Sequence, residues 1–257
     1  MKNLFEKLFV TLGLVIFLIT SPAFAAQKPQ QVDCEVKDGS IIVADVYYPS
    51  VKKKKYSTIL LLHSLGYNSS RWADFASNLA DAGYAVVAVD LRGHGKSVYT
   101  SKLNRQSWSN YKKEVFKKYP DDVMRTLAAV KANHPFISFE DWGIVGADVG
   151  GSTAVLVAEK AKSKPKTIVL ISPHQSHKGL FIPLAIAEMG NIPILTISST
   201  GDKTCLAEQK SLQKYAQADY VIKNYDVNTT GMLMVTSNPN IAAFIKNWLE
   251  SKVVQYQ

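Results

Sequence analysis

Trp142-Gly143-Ile144-Val145-Gly146-Ala147-Asp148-Val149-Gly150-Gly151 decides how this chain folds. Trp142 to Val145 is a short apolar run, as expected of a strand buried on both faces, and Gly151 to Lys162 has helical spacing. Gly146 to Gly151 joins the two and opens the helix. Working outward, the same alternation repeats. Thr58 to Leu62 and Tyr84 to Val89 read as buried strands, with a helix from Arg71 to Ala82 closed by Gly83 between them. Asp121 to Ala132 and Asn240 to Lys252 read as helices; Thr167–Ile171, Ile194–Ile197 and Tyr220–Tyr225 read as strands. Val32 to Tyr48 reads as a hairpin turning at Asp38-Gly39. Strands alternating with helices predict an α/β architecture: a mostly parallel central sheet of about eight strands, helices on both faces, and ligands bound beyond the carboxyl ends of the strands.

The composition agrees. The 257 residues are 47% apolar and 20% charged, which excludes a disordered or fibrous chain. Two cysteines exclude a disulfide scaffold and a four-thiolate zinc site. Residues 1–25 carry Lys2 and Lys7, an apolar run from Leu8 to Thr20, a Ser21-Pro22 break and Ala23-Phe24-Ala25. That order predicts a secretory signal peptide rather than a transmembrane anchor. The expectation is an exported protein, periplasmic or secreted, with residues 26–257 forming one domain. Export argues against nucleic acid as the partner, despite a net charge of +9.

Three local patterns occur in order: His63-Ser64-Leu65-Gly66 after the first buried strand, Asp90-Leu91-Arg92-Gly93-His94-Gly95-Lys96-Ser97 after the second, and Gly146 to Gly151 after the third. Together they resemble the α/β-hydrolase superfamily, in particular its small, cap-less exported members. The first looks like the oxyanion segment, the second like the D-x-R-G-x-G-x-S loop, the third like the nucleophile elbow. No G-x-G-x-x-G follows the first buried strand, so a dinucleotide-binding fold does not fit. The resemblance implies a catalytic triad, yet the triad positions are altered. The elbow, normally G-x-S-x-G, carries Asp148; the orienting acid maps to Asp202; and the histidine position of the last loop carries Asn228 in Asn228-Thr229-Thr230-Gly231-Met232-Leu233. The five histidines are His63, His94, His134, His174 and His177, so none lies beyond the sixth strand's connection.

Asparagine cannot accept the proton that a nucleophile must lose. Asp148 is expected to cap the following helix through its backbone N–H groups and to fill the oxyanion hole formed by the Leu65 and Val149 N–H groups, opposing the charge such a hole stabilises. The sequence therefore favours a degenerate triad of Asp148, Asp202 and Asn228: a pseudoenzyme that binds a small-molecule ligand or scaffolds. The alternative is an active hydrolase of small esters, lactones or alkyl halides using Asp148 or a relocated base, His174 or His177. Asp148, Asp202 and Asn228 offer oxygen ligands for a hard cation, but too few for calcium; no metal is assigned and no cofactor is expected. His63 and His94 read as structural. Lys102, Arg105, Lys112, Lys113, Lys117 and Lys118, interleaved with Trp108, Tyr111, Phe116 and Tyr119, form a basic stretch suited to anionic glycans or membrane headgroups. The family's sheet would hold Cys34 and Cys205 too far apart for a disulfide.

Overall fold

The structure is a computed structural model and describes residues 28–256; the segment expected to be a signal peptide lies outside them. Strands β1 (Gln30–Glu35) and β2 (Ile41–Tyr47) form the hairpin, antiparallel, with Cys34 opposite Ile42. Then follow β3 (Tyr56–Leu62), α1 (Ala73–Asp81), β4 (Ala85–Asp90), α2 (Lys113–Phe116), α3 (Tyr119–Asn133), β5 (Ile137–Ala147), α4 (Val149–Lys160) and β6 (Thr167–Ile171). A two-residue-stranded hairpin, β7 (Ser176–His177) and β8 (Leu180–Phe181), precedes α5 (Pro183–Glu188), β9 (Ile194–Ser199), α6 (Lys203–Leu212), β10 (Tyr220–Tyr225), α7 (Leu233–Thr236) and α8 (Pro239–Lys252).

Eight strands form one sheet in the order β1-β2-β4-β3-β5-β6-β9-β10. Only β2 runs against its neighbours; β4, β3, β5, β6, β9 and β10 pair parallel in turn. Every residue of β3 is buried because both faces are covered. Leu60 and Leu62 pack with Val123 and Leu127 of α3 and Ala154 of α4, while Ile59 and Leu61 pack on the other face with Phe75 of α1 and Ile245 of α8. Each buried Leu or Ile contributes about 1.5–3 kcal/mol, which is why an unbroken apolar run codes for a central strand.

Several boundaries shift by a residue or two from the sequence reading, and two differ for a clear local reason. β5 begins at Ile137, five residues ahead of Trp142, because Ile137 and Ser138 pair with Tyr56 and Ser57 before the register shifts to Thr58↔Trp142. The charged pair Glu140-Asp141 on the excursion hides that first strand segment. The helix expected from Arg71 starts instead as a 3₁₀ turn over Ser69–Trp72, where the Asn68 side chain accepts from the Ser70 N–H at 3.1 Å, and becomes α1 only at Ala73. Pro173 to Asn191 holds only the small hairpin and α5, so there is no large cap. Cys34, on edge strand β1, and Cys205, in α6, are buried free thiols. Among the described residues no helix is long and apolar enough to cross a membrane.

Candidate active site

The loops that leave β3, β5, β6 and β10 at their carboxyl ends meet at Asp148. At the β5–α4 turn Asp148 adopts φ 53°, ψ −118°. Its N–H donates to the Ile171 carbonyl at 2.9 Å, and its carbonyl accepts from Gly151 and Ser152 at 2.9 and 3.2 Å. The turn is possible only with glycine on either side: a Cβ on Gly146 would collide with the Gly150 carbonyl, and one on Gly150 would lie 2.5 Å from the Leu62 and His63 carbonyl oxygens. A non-glycine residue in such a conformation costs on the order of 1–3 kcal/mol, and the surrounding contacts hold it there.

The Asp148 carboxylate does not cap α4; it makes no side-chain bond to that helix's N–H groups, Val149 included. The positive φ at the apex turns it toward the β3 loop, where Oδ2 accepts from the Leu65 N–H at 3.0 Å. Oδ1 faces two imidazoles from the β6 loop: His177 Nε2 at 3.3 Å and His174 Nε2 at 3.7 Å. The two rings stack at 4.9 Å between centroids, 29° apart. Glu208 of α6 accepts from His174 Nδ1 at 2.9 Å, which leaves Nε2 of a neutral His174 as a bare lone pair. The Cys205 thiol, 3.8 Å away, is the hydrogen-bond partner of that nitrogen. His177 Nε2 is buried and, though near Oδ1, is not aligned with it for a hydrogen bond. Burial pushes the His177 pKa down, against the pull of the Asp148 charge. It pushes the Cys205 thiol up, with Asp202, Glu208 and Asp148 adding to the effect.

Of the other predicted triad positions, Asp202 reaches this cluster only through Cys205, and Asn228 makes no hydrogen bond to it among the described residues. Asp202 caps α6, its Oδ1 accepting from the Cys205 N–H at 3.0 Å. Asn228 lines an open recess with Ser199, Asp202 and Thr230. Among the described residues its amide bonds neither Asp148 nor Asp202. The part of that loop touching the elbow is Gly231, where a Cβ would lie 2.5 Å from Ser64 Oγ and 3.8 Å from Asp148 Cβ. Asp148, Asp202 and Asn228 therefore form no common ligand set, whereas Asp148, His174 and His177 do: their ligand atoms lie within 4.8 Å of one another. Glu208 escapes the sequence reading altogether. The signals that could have found the group are the His174-x-x-His177 spacing and an acidic residue on the helix after Asp202.

The remaining singled-out residues are structural. His63 Nδ1 bonds the Ser64 carbonyl at 2.8 Å, and Nε2 accepts from Leu91 at 2.9 Å. His94 Nδ1 bonds the Arg92 carbonyl, and Nε2 accepts from Gly66, both at 3.1 Å. Ser64 Oγ accepts from the Met232 N–H at 2.9 Å. In the basic stretch Phe116 and Tyr119 are buried and Trp108 stacks on His94, so its aromatics serve the interior and leave the lysines as the exposed face.

Residues 53–238 match the family described as serine aminopeptidase, S33. Over 130 residues the chain is 32% identical to a 2-hydroxy-6-oxononadienedioate/2-hydroxy-6-oxononatrienedioate hydrolase of Paraburkholderia phymatum and 28% identical to the protein of that name from Escherichia coli. Each match covers 49% of this chain and 40% of the relative, so the chain spans less than half the length of the curated relatives it matches. Two solved structures share the fold. The acylaminoacyl peptidase of Pyrococcus horikoshii has TM-score 0.72 at 13% identity, covering 91% of this chain and 43% of that one. The dienelactone hydrolase of Anabaena variabilis has TM-score 0.65 at 16% identity, covering 89% and 100%.

Proposed function

This chain belongs to the serine aminopeptidase S33 family of α/β-hydrolases, and from that premise we propose that it hydrolyses small esters or lactones at a centre made of Asp148, His174 and His177. The observation that carries the proposal is the pair of imidazole nitrogens 3.3 and 3.7 Å from Asp148 Oδ1, with Glu208 on the far nitrogen of His174. A base oriented by a carboxylate beside the elbow is the working part of a hydrolase site; here it comes from the β6 loop instead of the β10 loop. The relatives named above are hydrolases or peptidases by name, which supports the reaction class.

With no hydroxyl at the elbow, water attacks directly. Its oxygen bonds to the substrate carbonyl carbon and its proton passes to the centre. The carbon–oxygen bond to the leaving group breaks, and the leaving alkoxide takes that proton to depart as the alcohol. Glu208 fixes the His174 ring, and the Asp148 charge lies beside both imidazoles. The reading of residues 1–25 as a signal peptide supports export of the enzyme as part of this proposal.

One observation favours the second reading, a ligand-binding site without turnover: Asp148 Oδ2 already occupies the Leu65 N–H. An assay of the purified chain on p-nitrophenyl acetate, p-nitrophenyl butyrate and a small lactone separates the two. The hydrolase reading expects repeated turnover, reduced about 100-fold in His174→Ala. An inert wild type, with activity appearing only in an Asp148→Ser/Asn228→His double variant, overturns it in favour of the second.

A further inference from the structure

We infer that Asp148, His174 and His177 together bind one divalent transition-metal ion, with zinc the best fit, and that Glu208 supports the site from behind His174. The inference deepens the hydrolase reading by naming what activates the water, but the site itself stands on geometry alone. Tetrahedral zinc with nitrogen and oxygen bonds of about 2.0–2.1 Å sets its ligand atoms about 3.3 Å apart. Here Oδ1 lies 3.3 Å from one ring nitrogen and 3.7 Å from the other, and the three atoms fall within 4.8 Å.

The hydrogen bonding points the same way. Glu208 accepts a hydrogen bond from His174 Nδ1, so Nε2 presents a lone pair whose hydrogen-bond partner is only the weak Cys205 thiol donor at 3.8 Å, and it lies 3.7 Å from a carboxylate oxygen that can itself only accept. His177 Nε2, buried and unpartnered, faces the same oxygen without the alignment of a hydrogen bond. A carboxylate and two imidazole nitrogens brought this close without a hydrogen bond between them are held stably by a cation. A carboxylate on the remote nitrogen of a ligating histidine is also the usual outer support of a metal-bound imidazole. Two imidazoles and one carboxylate suit zinc and its first-row neighbours rather than calcium. The three side chains are each about one-fifth exposed, so the group lies at the protein surface and not deep in the core. An ion there would also act where the Leu65 N–H cannot, polarising the substrate carbonyl in place of the filled oxyanion hole.

The test uses the purified chain without affinity histidines, stripped with a chelator and dialysed. Zinc is titrated by calorimetry, cobalt by its ligand-field absorption. One ion per chain is expected, with Tm raised by about 10 °C once free zinc stands near 1,000-fold above Kd. Affinity should fall at least about 100-fold in His177→Ala and Asp148→Asn, and about 10–100-fold in Glu208→Gln. His134→Ala, which alters a histidine beside Tyr48, should bind as the wild type does. Absence of stoichiometric binding, or binding retained in a His174→Ala/His177→Ala variant, overturns the site. The two readings fail separately: stoichiometric metal without turnover removes the hydrolase and keeps the site, whereas full turnover by a chain that binds no zinc removes the site and keeps the hydrolase.

Discussion

Two groups of polar side chains sit at the carboxyl edge of the same sheet, and they are completed in opposite ways. In the loop after β4 every group has a partner. Arg92 holds Asp122 with two 2.7 Å bonds and reaches Asp38 and Ser40 Oγ with its remaining amino group. Asp90 accepts from the Ser69 and Lys96 N–H groups, and both nitrogens of His63 and of His94 are used. Around the elbow, a carboxylate and two imidazoles lie close together with a buried nitrogen left without a bond. Buried polar groups that satisfy one another stabilise a fold; a group left incomplete is organised for something that arrives. The difference supports a structural role for the first cluster and the proposed chemistry for the second, and it can be broken by experiment.

The largest effect belongs to the completed cluster. Arg92→Ala leaves Asp122 buried and unpaired, and should cost about 3–5 kcal/mol in urea unfolding. His177→Ala, at a nitrogen that bonds nothing, should cost less than about 1 kcal/mol by the same measurement. Comparable losses from the two variants would erase the distinction.

Acid probes the same cluster without mutation. Burial lowers the His63 pKa to about 4, partly opposed by the Ser64 carbonyl, and lowers that of His94 to about 3. In the unfolded chain both titrate near 6.5. Below that value only the unfolded state takes up the proton, so stability is complete above pH 6.5 and falls as pH drops toward 4. For His63 alone the loss is about 3 kcal/mol. Denaturant titrations between pH 7 and 4.5 should show this decline, and a flat profile would mean that the rings are not held neutral.

How much of this was legible in the sequence follows from the same contrast. The strands were legible because burial on both faces leaves unbroken apolar runs such as Thr58 to Leu62, and the elbow because only glycines tolerate its backbone contacts. The family followed from those runs and turns in order. The grouping of the site's side chains was only partly legible. A triad is read by position, and by position Asn228 ends the search at the last loop; His174 and His177 could be nominated as a relocated base from their place after β6, but that both meet Asp148, with Glu208 of α6 behind them, is a fact of three dimensions. Asp148 itself was found, but its direction was misread: a residue before a helix usually caps it, and only the positive φ sends this carboxylate to Leu65 and the imidazoles.

That strained backbone gives a smaller and opposite prediction. At φ 53°, ψ −118° an aspartate carries a cost that glycine does not, offset in part by glycine's greater freedom when unfolded. Asp148→Gly should therefore raise stability by about 1 kcal/mol in the same unfolding experiment while abolishing turnover. A destabilised variant would show instead that the carboxylate is held for structure, as Asp90 is.

The smallest shift in stability is the sharpest probe. Glu208 is partly exposed, and its bond to His174 Nδ1 orients a ring rather than supporting the core. Glutamine keeps the length and an acceptor oxygen, so Glu208→Gln should unfold within about 0.5 kcal/mol of the wild type. It removes the negative charge that fixes which nitrogen of His174 carries the proton, and turnover should drop about 10–100-fold, through kcat more than KM, since the ring serves the reacting water and not the bound substrate. A purely structural Glu208 would lower Tm and leave kcat per folded molecule unchanged. Only an incomplete cluster should separate stability from rate in this way, because in a completed one each bond removed is lost to both.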